Sequence, residues 1–286
     1  MKRPLVQEKK VLVTGCSSGI GLATARVLRQ RGWQVVPTAR KDEDLAMLRD
    51  DGFTPVRLDV ADEKSVTDAA AAALEIFGGK IGALVNNAGF GQAGAAEDLT
   101  RETLAYQMNV NFIGAHDLTT RFIPVMRKQG WGRIVNVSSV LGKIIIPFYG
   151  SYSASKFAME ALTDAMRAEL WHTGIGVILI EPGPIVSEFR RNAAERAQAS
   201  LDLEHAVFGA AYHKEIQRRI RQQKKPDAFT LAPEAVAEKI FHAIESGSPK
   251  RRYRVTIPAY LGTWAARFAP DWLLDSVNIR KIPAEK

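Results

Sequence analysis

The chain has one cysteine in 286 residues, Cys16, so no internal disulfide can form. Cys16 lies in a glycine-rich turn, a placement for packing, and no redox role is expected. No run of about 18 apolar residues occurs. The opening MKRPLVQEKK is basic but lacks the apolar stretch of a signal peptide. A soluble, cytoplasmic protein is therefore expected. Metal is not indicated either: His116, His172, His205, His213 and His242 show no ligand spacing with one another or with Cys16. Linkers, low-complexity tracts and internal repeats are also missing, which favours one domain over two.

Acidic residues are in deficit, with 31 Asp and Glu against 39 Lys and Arg, a formal charge of +8. Much of the excess is local. HKEIQRRIRQQKK (213–225) holds six cations against one Glu, and KRRYR (250–254) holds four. Such runs commonly form a solvated helix face. No zinc-finger, helix-turn-helix or aromatic-interleaved pattern accompanies them, so no nucleic-acid partner is expected. Weak peripheral membrane contact through the basic C-terminal region remains open, although no long helix separates basic and aromatic faces cleanly.

What is present is a regular alternation. KKVLVTG reads as a strand ending in a glycine turn, and IGLATARVLRQRG as a helix with Gly32 suited to its C-terminal cap. WQVVPTA, TPVRLDV and IGALVNNAG follow as strands, with helical segments between them. A long helix is expected over 101–129 with a bend at Pro124, then strand GRIVNVSS, a helix over 152–172 and strand GVILIEPG. This implies βαβ units: a doubly wound, Rossmann-like parallel sheet with helices on both faces. Residues 184–232 interrupt the pattern where a substrate lid could sit. The extension over 258–286 has amphipathic Trp and Leu spacing; it could close the pocket, pair subunits or touch a membrane.

The glycines of TGCSSGIG, Gly15, Gly19 and Gly21, stand where the first strand turns into a helix. That context admits a pyrophosphate on the free N–H groups, or simply a tight turn, since the spacing is not G-x-G-x-x-G. Strand two ends without the acidic residue that would bind a ribose 2′-hydroxyl. Arg40 and Lys41 stand there instead, either solvated or suited to a 2′-phosphate, which points to NADP(H). Asp59 ends strand three and is placed either to accept from an adenine amino group or to cap a turn. Tyr152 and Lys156 are four residues apart on one helical face, where an ammonium favours the phenolate and would draw the phenol toward neutral pH. Ser139 ends a strand thirteen residues earlier, at the carboxyl edge where open α/β sheets bind ligands.

Together TGCSSGIG, NNAG (86–89), the serines 138 and 139, Tyr152 with Lys156, and PGPIVS (182–187) resemble a short-chain dehydrogenase/reductase over about residues 9–190, with similarity to bacterial NADP-dependent reductases related to the hydroxysteroid and retinol dehydrogenase branch. The resemblance implies a tetrad. Tyr152 would donate a proton to a carbonyl oxygen, Ser139 would bind that oxygen, and Lys156 would lower the Tyr pKa and hold the nicotinamide ribose. The fourth member, an Asn three residues before a Gly, would be Asn111 rather than Asn109. The resemblance also implies cofactor contacts from Gly15, Ser17, Gly19, Ile20, Gly21, Arg40, Lys41, Asp59, Val60, Asn87, Ala88, Gly89, Tyr152, Lys156, Pro182, Gly183, Ile185 and Ser187. The family commonly has Thr where Ser187 stands. A homodimer or homotetramer paired through the helices near 101–129 and 152–172 is implied as well.

The expected activity is NADPH-dependent reduction of an apolar aldehyde or ketone, retinoid-, steroid- or fatty-aldehyde-like. The substrate wall would include Phe90, Ser139, Ile145, Phe148, Tyr152, Ile185 and Phe189. The alternative is a catalytically silent NADP(H)-binding regulator or scaffold.

Overall fold

The computed structural model describes residues 3–221 and 228–282. Part of the basic run 213–225 therefore lies outside the described residues.

Seven parallel strands form one sheet in the order β3-β2-β1-β4-β5-β6-β7. They are β1 (Lys10–Val13), β2 (Gln34–Ala39), β3 (Val56–Arg57), β4 (Ala83–Asn86), β5 (Gly132–Val137), β6 (Ile175–Pro182) and β7 (Arg252–Val255). Central strands β4, β5 and β6 are buried at every position, as aliphatic runs covered on both faces require. On one face, α1 (Gly19–Gln30), α2 (Asp42–Asp50) and α9 (Glu234–Glu245) cover Val11, Val13, Val135 and Ile178. On the other, α3 (Glu63–Ile76), α5 (Gly114–Gln129) and α6 (Gly150–Glu169) cover Leu12, Leu84, Ile134 and Val177. Because successive residues of a strand point to opposite faces, one aliphatic run serves both cores.

Local chemistry sets the helix ends. α1 stops at Arg31 and the chain reverses through Gly32 at φ +80°, a left-handed position that favours glycine. Asp62 caps α3 by accepting the backbone N–H of Ser65 at 2.6 Å.

The expected single helix over 101–129 is divided. α4 (Arg101–Met108) passes through a π turn, Asn109–Ile113, into α5. The sequence locates the irregularity at Pro124, but the hydrogen-bond pattern changes fifteen residues earlier. Two contacts explain the position. A Cβ on Gly114 would lie 1.8 Å from the Val60 carbonyl oxygen, so only glycine allows the helix to pass the turn after β3 there. Asn111, fully buried, accepts the Phe90 N–H at 3.0 Å and donates to the Phe90 carbonyl at 2.9 Å. The extra residue in the turn turns Asn111 inward to make both bonds.

Residues 184–232 include α7 (Phe189–Ser200) and α8 (Gly209–Arg221). They pack through Ala194, Ala197, Leu201 and Tyr212 on Leu99 and Phe148, beyond the carboxyl edge of the sheet. After β7 the chain ends in α10 (Ile257–Phe268) and α11 (Asp271–Ile279). No helix among the described residues is long and apolar enough to cross a membrane.

Candidate active site

The sheet's topological switch lies between β1 and β4, whose carboxyl ends diverge into different loops. There the glycine turn is clamped from β4. The Asn87 side-chain amide donates to the carbonyls of Thr14 at 2.9 Å and Gly15 at 3.0 Å. The Thr14 hydroxyl accepts the N–H groups of Asn87 and Ala88, each at 2.9 Å. A Cβ on Gly21 would fall 2.1 Å from the Gly15 carbonyl oxygen, and one on Gly15, at φ +70°, would fall 2.7 Å from the Ala88 Cα. Asn87, Ala88 and the glycines thus build a backbone-lined cradle. The first turn of α1 carries no acidic residue, Ser17 and Ser18 are exposed, and the Ser18 side chain makes no capping bond. Ser187, on the loop after β6, lies against Gly19. Helix N–H groups, neutral hydroxyls and close backbone approach fit a pyrophosphate.

Beside this cradle sit the cations. Arg40 donates to the Tyr106 hydroxyl at 3.1 Å and lies 3.6 Å from Asp59 Oδ2. Asp59 Oδ1 accepts the Ala61 N–H at 3.0 Å, so this carboxylate closes a turn as well as facing the arginine. Lys41 pairs with Glu43 at 3.0 Å, away from Arg40's partners. Arg57, absent from the sequence reading, donates to the Arg40 carbonyl at 2.7 Å because β2 and β3 pair Ala39 with Arg57. Val60 is buried under Gly114, Gly89 abuts Asn111, and Ile20 and Ile185 pack on the α1 side of the sheet. Pro182 ends β6, and Gly183 continues toward β7 with its N–H on the Val255 carbonyl at 2.9 Å.

Ser139, Tyr152, Lys156 and Asn111 converge at the carboxyl ends of β4 and β5. The Ser139 hydroxyl accepts the Leu141 N–H at 3.1 Å and shares a hydrogen bond with the Tyr152 phenol. Lys156 donates to the Val137 carbonyl at 2.8 Å, its Nζ 5.8 Å from the centroid of the Tyr152 ring. Asn111 reaches the same helix by donating to the Ser155 hydroxyl at 3.1 Å.

The electrostatics depart from the sequence expectation. Burial pushes Tyr152 up to about 12, more than the Ser139 hydrogen bond can offset, and Tyr149 adds to the rise. Burial outweighs whatever the Lys156 ammonium, which donates to Val137, contributes at the phenol. Burial instead brings Lys156 down to about 8, opposed by the carboxylate of Glu160. Glu160 is itself buried against Lys143 at 2.8 Å and Arg252 at 3.3 Å. The resulting site holds a protonated phenol and a marginally charged ammonium side by side.

The expected substrate wall is brought together only in part. Phe189 packs edge-on to Tyr152, ring centroids 5.2 Å apart, so α7 touches the phenol ring directly. Phe90 turns instead toward Tyr106 under the Arg196 guanidinium, which lies 4.8 Å from its centroid. Phe148 joins Phe208 and Tyr212 in the cluster that α7 and α8 form, and Ile145 is exposed. Ala193 and Leu141, not singled out from the sequence, surround Tyr152 together with Tyr149, Ile146 and Phe189. Their signal was weak because α7 and the loop before α6 meet only in three dimensions. Cys16 is buried with its thiol pushed up to about 12 by desolvation, as a packing residue would be. Among the described residues no group of three His, Cys, Asp or Glu side chains is arranged to hold a metal.

A parallel Rossmann-like sheet with this glycine turn and this Ser, Tyr and Lys cluster defines a nucleotide-dependent oxidoreductase fold. The short chain dehydrogenase family model matches residues 9–198, and the chain belongs to that family. It is similar to the uncharacterized oxidoreductase YbbO of Escherichia coli (strain K12), 40% identical over 272 residues that span 95% of this chain and 94% of the relative. It is 31% identical over 284 residues to retinol dehydrogenase 16 of Mus musculus, spanning 95% and 88% of the two chains. A solved short chain dehydrogenase/reductase from Burkholderia phymatum in complex with NAD superposes with a TM-score of 0.74 at 28% identity, covering 98% of each chain. The protein is an oxidoreductase of this family with a site for a nicotinamide cofactor.

Proposed function

We propose that the protein reduces the carbonyl of an apolar aldehyde or ketone with NADPH, the phenol of Tyr152 giving the proton. The observation that carries this reading is the buried Tyr152 hydroxyl, protonated at neutral pH and hydrogen-bonded to Ser139 at the carboxyl edge of the sheet. When bound, the nicotinamide supplies a hydride. The chain's residues do the rest. Ser139 and Tyr152 together hold the carbonyl oxygen, and the phenol releases its proton as negative charge develops there. The adjacent Lys156 ammonium stabilises the phenolate left behind, and Asn111 fixes the π turn against Ser155 so that α6 keeps this register. Gly15, Gly19 and Gly21 would receive the pyrophosphate, and Arg40 with Arg57 nearby would receive a 2′-phosphate.

Apolar substrates are supported by the surroundings of Tyr152, where Leu141, Ile146, Phe189 and Ala193 offer no charge to a polar carbonyl compound. Retinol, named for the mouse relative, is such an apolar alcohol. Pairing through α4, α5 and α6 is supported by the exposed Leu104, Ile113 and Phe157 on that surface.

The test is oxidation of NADPH and of NADH by the purified protein over short aldehydes, retinal, steroids and keto acids, with Tyr152→Phe as control. Turnover of long apolar carbonyls with NADPH, lost by ~100-fold or more in Tyr152→Phe, is the expected result. Tight NADPH binding with no turnover on any carbonyl would favour the silent cofactor-binding reading instead.

A further inference from the structure

The C-terminal helices invert the usual arrangement of a surface helix. α10 turns its small residues inward: Ala259 is fully buried, and Gly262 sits so close to Val140 and Ile144 that a Cβ there would lie 2.8 Å from the Val140 methyl. Its large apolar side chains, Ile257, Tyr260, Leu261, Trp264 and Phe268, fall within about 100° of arc and point to solvent. Trp264 is 63% exposed, Phe268 66%, and Trp272 on α11 70%. Leu273, Val277 and Ile279 on α11 are exposed as well. The amphipathic spacing expected of the extension is thus present in α10, with the large apolar face outward. Isolated exposed apolar residues are ordinary, but five large ones on one face of a single helix mark a contact with something outside the chain.

Charge and residue type indicate what that partner is. Residues 250–282 contain seven Lys or Arg and two acidic residues, Asp271 and Asp275. Arg252 and Arg254 are committed to the buried Glu181, at 2.9 and 3.2 Å. Lys250, Arg251, Arg267, Arg280 and Lys281 are exposed, and Arg267 flanks the apolar stripe of α10. Two-fold pairing of this face with itself would set its cation excess against an equal excess. An anionic lipid surface would neutralise it, while Trp and Tyr beside cations suit the headgroup boundary.

We propose that α10 and α11 dock the protein on the surface of an anionic bilayer through this aromatic face and its flanking cations. The face adjoins the site, because α10 rests on Val140 and Ile144, in the segment that directly follows Ser139. A carbonyl compound dissolved in the membrane would then reach Tyr152 with a shortened aqueous path. That consequence rests on the proposed reduction; the docking itself does not.

The experiment is flotation of the purified full-length protein with phosphatidylcholine vesicles, with and without phosphatidylglycerol. Two variants are compared: Trp264→Ser with Phe268→Ser and Trp272→Ser, and Arg267→Gln with Arg280→Gln and Lys281→Gln. NADPH binding in both variants reports that the fold is intact. The native protein should partition onto phosphatidylglycerol vesicles at low salt. Each triple variant should lower that partitioning ~tenfold or more, and roughly 0.5 M salt should weaken the native binding. The proposal is overturned if the native protein ignores both vesicles. It is equally overturned if the aromatic variant floats as well as native, or if its only change is loss of self-association on a sizing column, which would assign the face to a second copy of the chain.

Discussion

Lys156 should make the protein pay a pH-dependent stability penalty that replacement with methionine removes. Its ordinary value of 10.5 falls to about 8 in the fold because burial disfavours the ammonium. The lowered value means that the unfolded chain binds the proton more tightly. Below about pH 8 both states are protonated and the whole penalty is present, about 3 kcal/mol at 1.36 kcal/mol per pH unit. Between about 8 and 10.5 only the unfolded chain holds the proton, so the penalty fades as pH rises. Stability attributable to this group should therefore increase by about 2 kcal/mol from pH 7 to pH 9.5. The assay is urea unfolding of the native protein and Lys156→Met at both pH values. Methionine also removes the donor to the Val137 carbonyl, a loss that does not vary with pH and so cancels in the comparison. Curves for the two proteins that stay parallel from pH 7 to 9.5 would refute the account of a desolvated ammonium.

Carbonyl reduction should decline as pH rises through about 8, where the Lys156 ammonium is lost while Tyr152 keeps its proton, and Glu160→Gln should move that decline to lower pH in a pH–rate profile. Arg40→Asp should weaken NADPH binding at least ~tenfold while sparing or improving NADH binding, measured by fluorescence titration, since it replaces a cation beside the 2′ position with an anion. Gly114→Ala should lower stability by ~2 kcal/mol or more in thermal melts, because its methyl group would overlap the Val60 carbonyl oxygen.

The order of strands and helices, the glycine turn and the Tyr152–Lys156 spacing were legible because each is a local pattern. A strand buried on both faces must be aliphatic, and residues four apart on a helix must share a face. The cation at the end of β2 was equally plain, since Arg40 simply stands where an acid would be. Its companion Arg57 was not, because only the β2–β3 register places it there. The π turn escaped notice for a similar reason: its cause is the approach of Gly114 to Val60 and the bonds of Asn111 to Phe90, contacts between segments far apart in the chain. The sequence by itself determined which chemical groups the site contains, through residue identity and short-range spacing. Tertiary structure alone decided their ionisation, with Tyr152 raised and Lys156 lowered, because desolvation depends on what other elements pack around a group. It likewise decided that α10 turns its aromatic face outward, since helical periodicity defines a face but only packing settles which side meets the body of the protein.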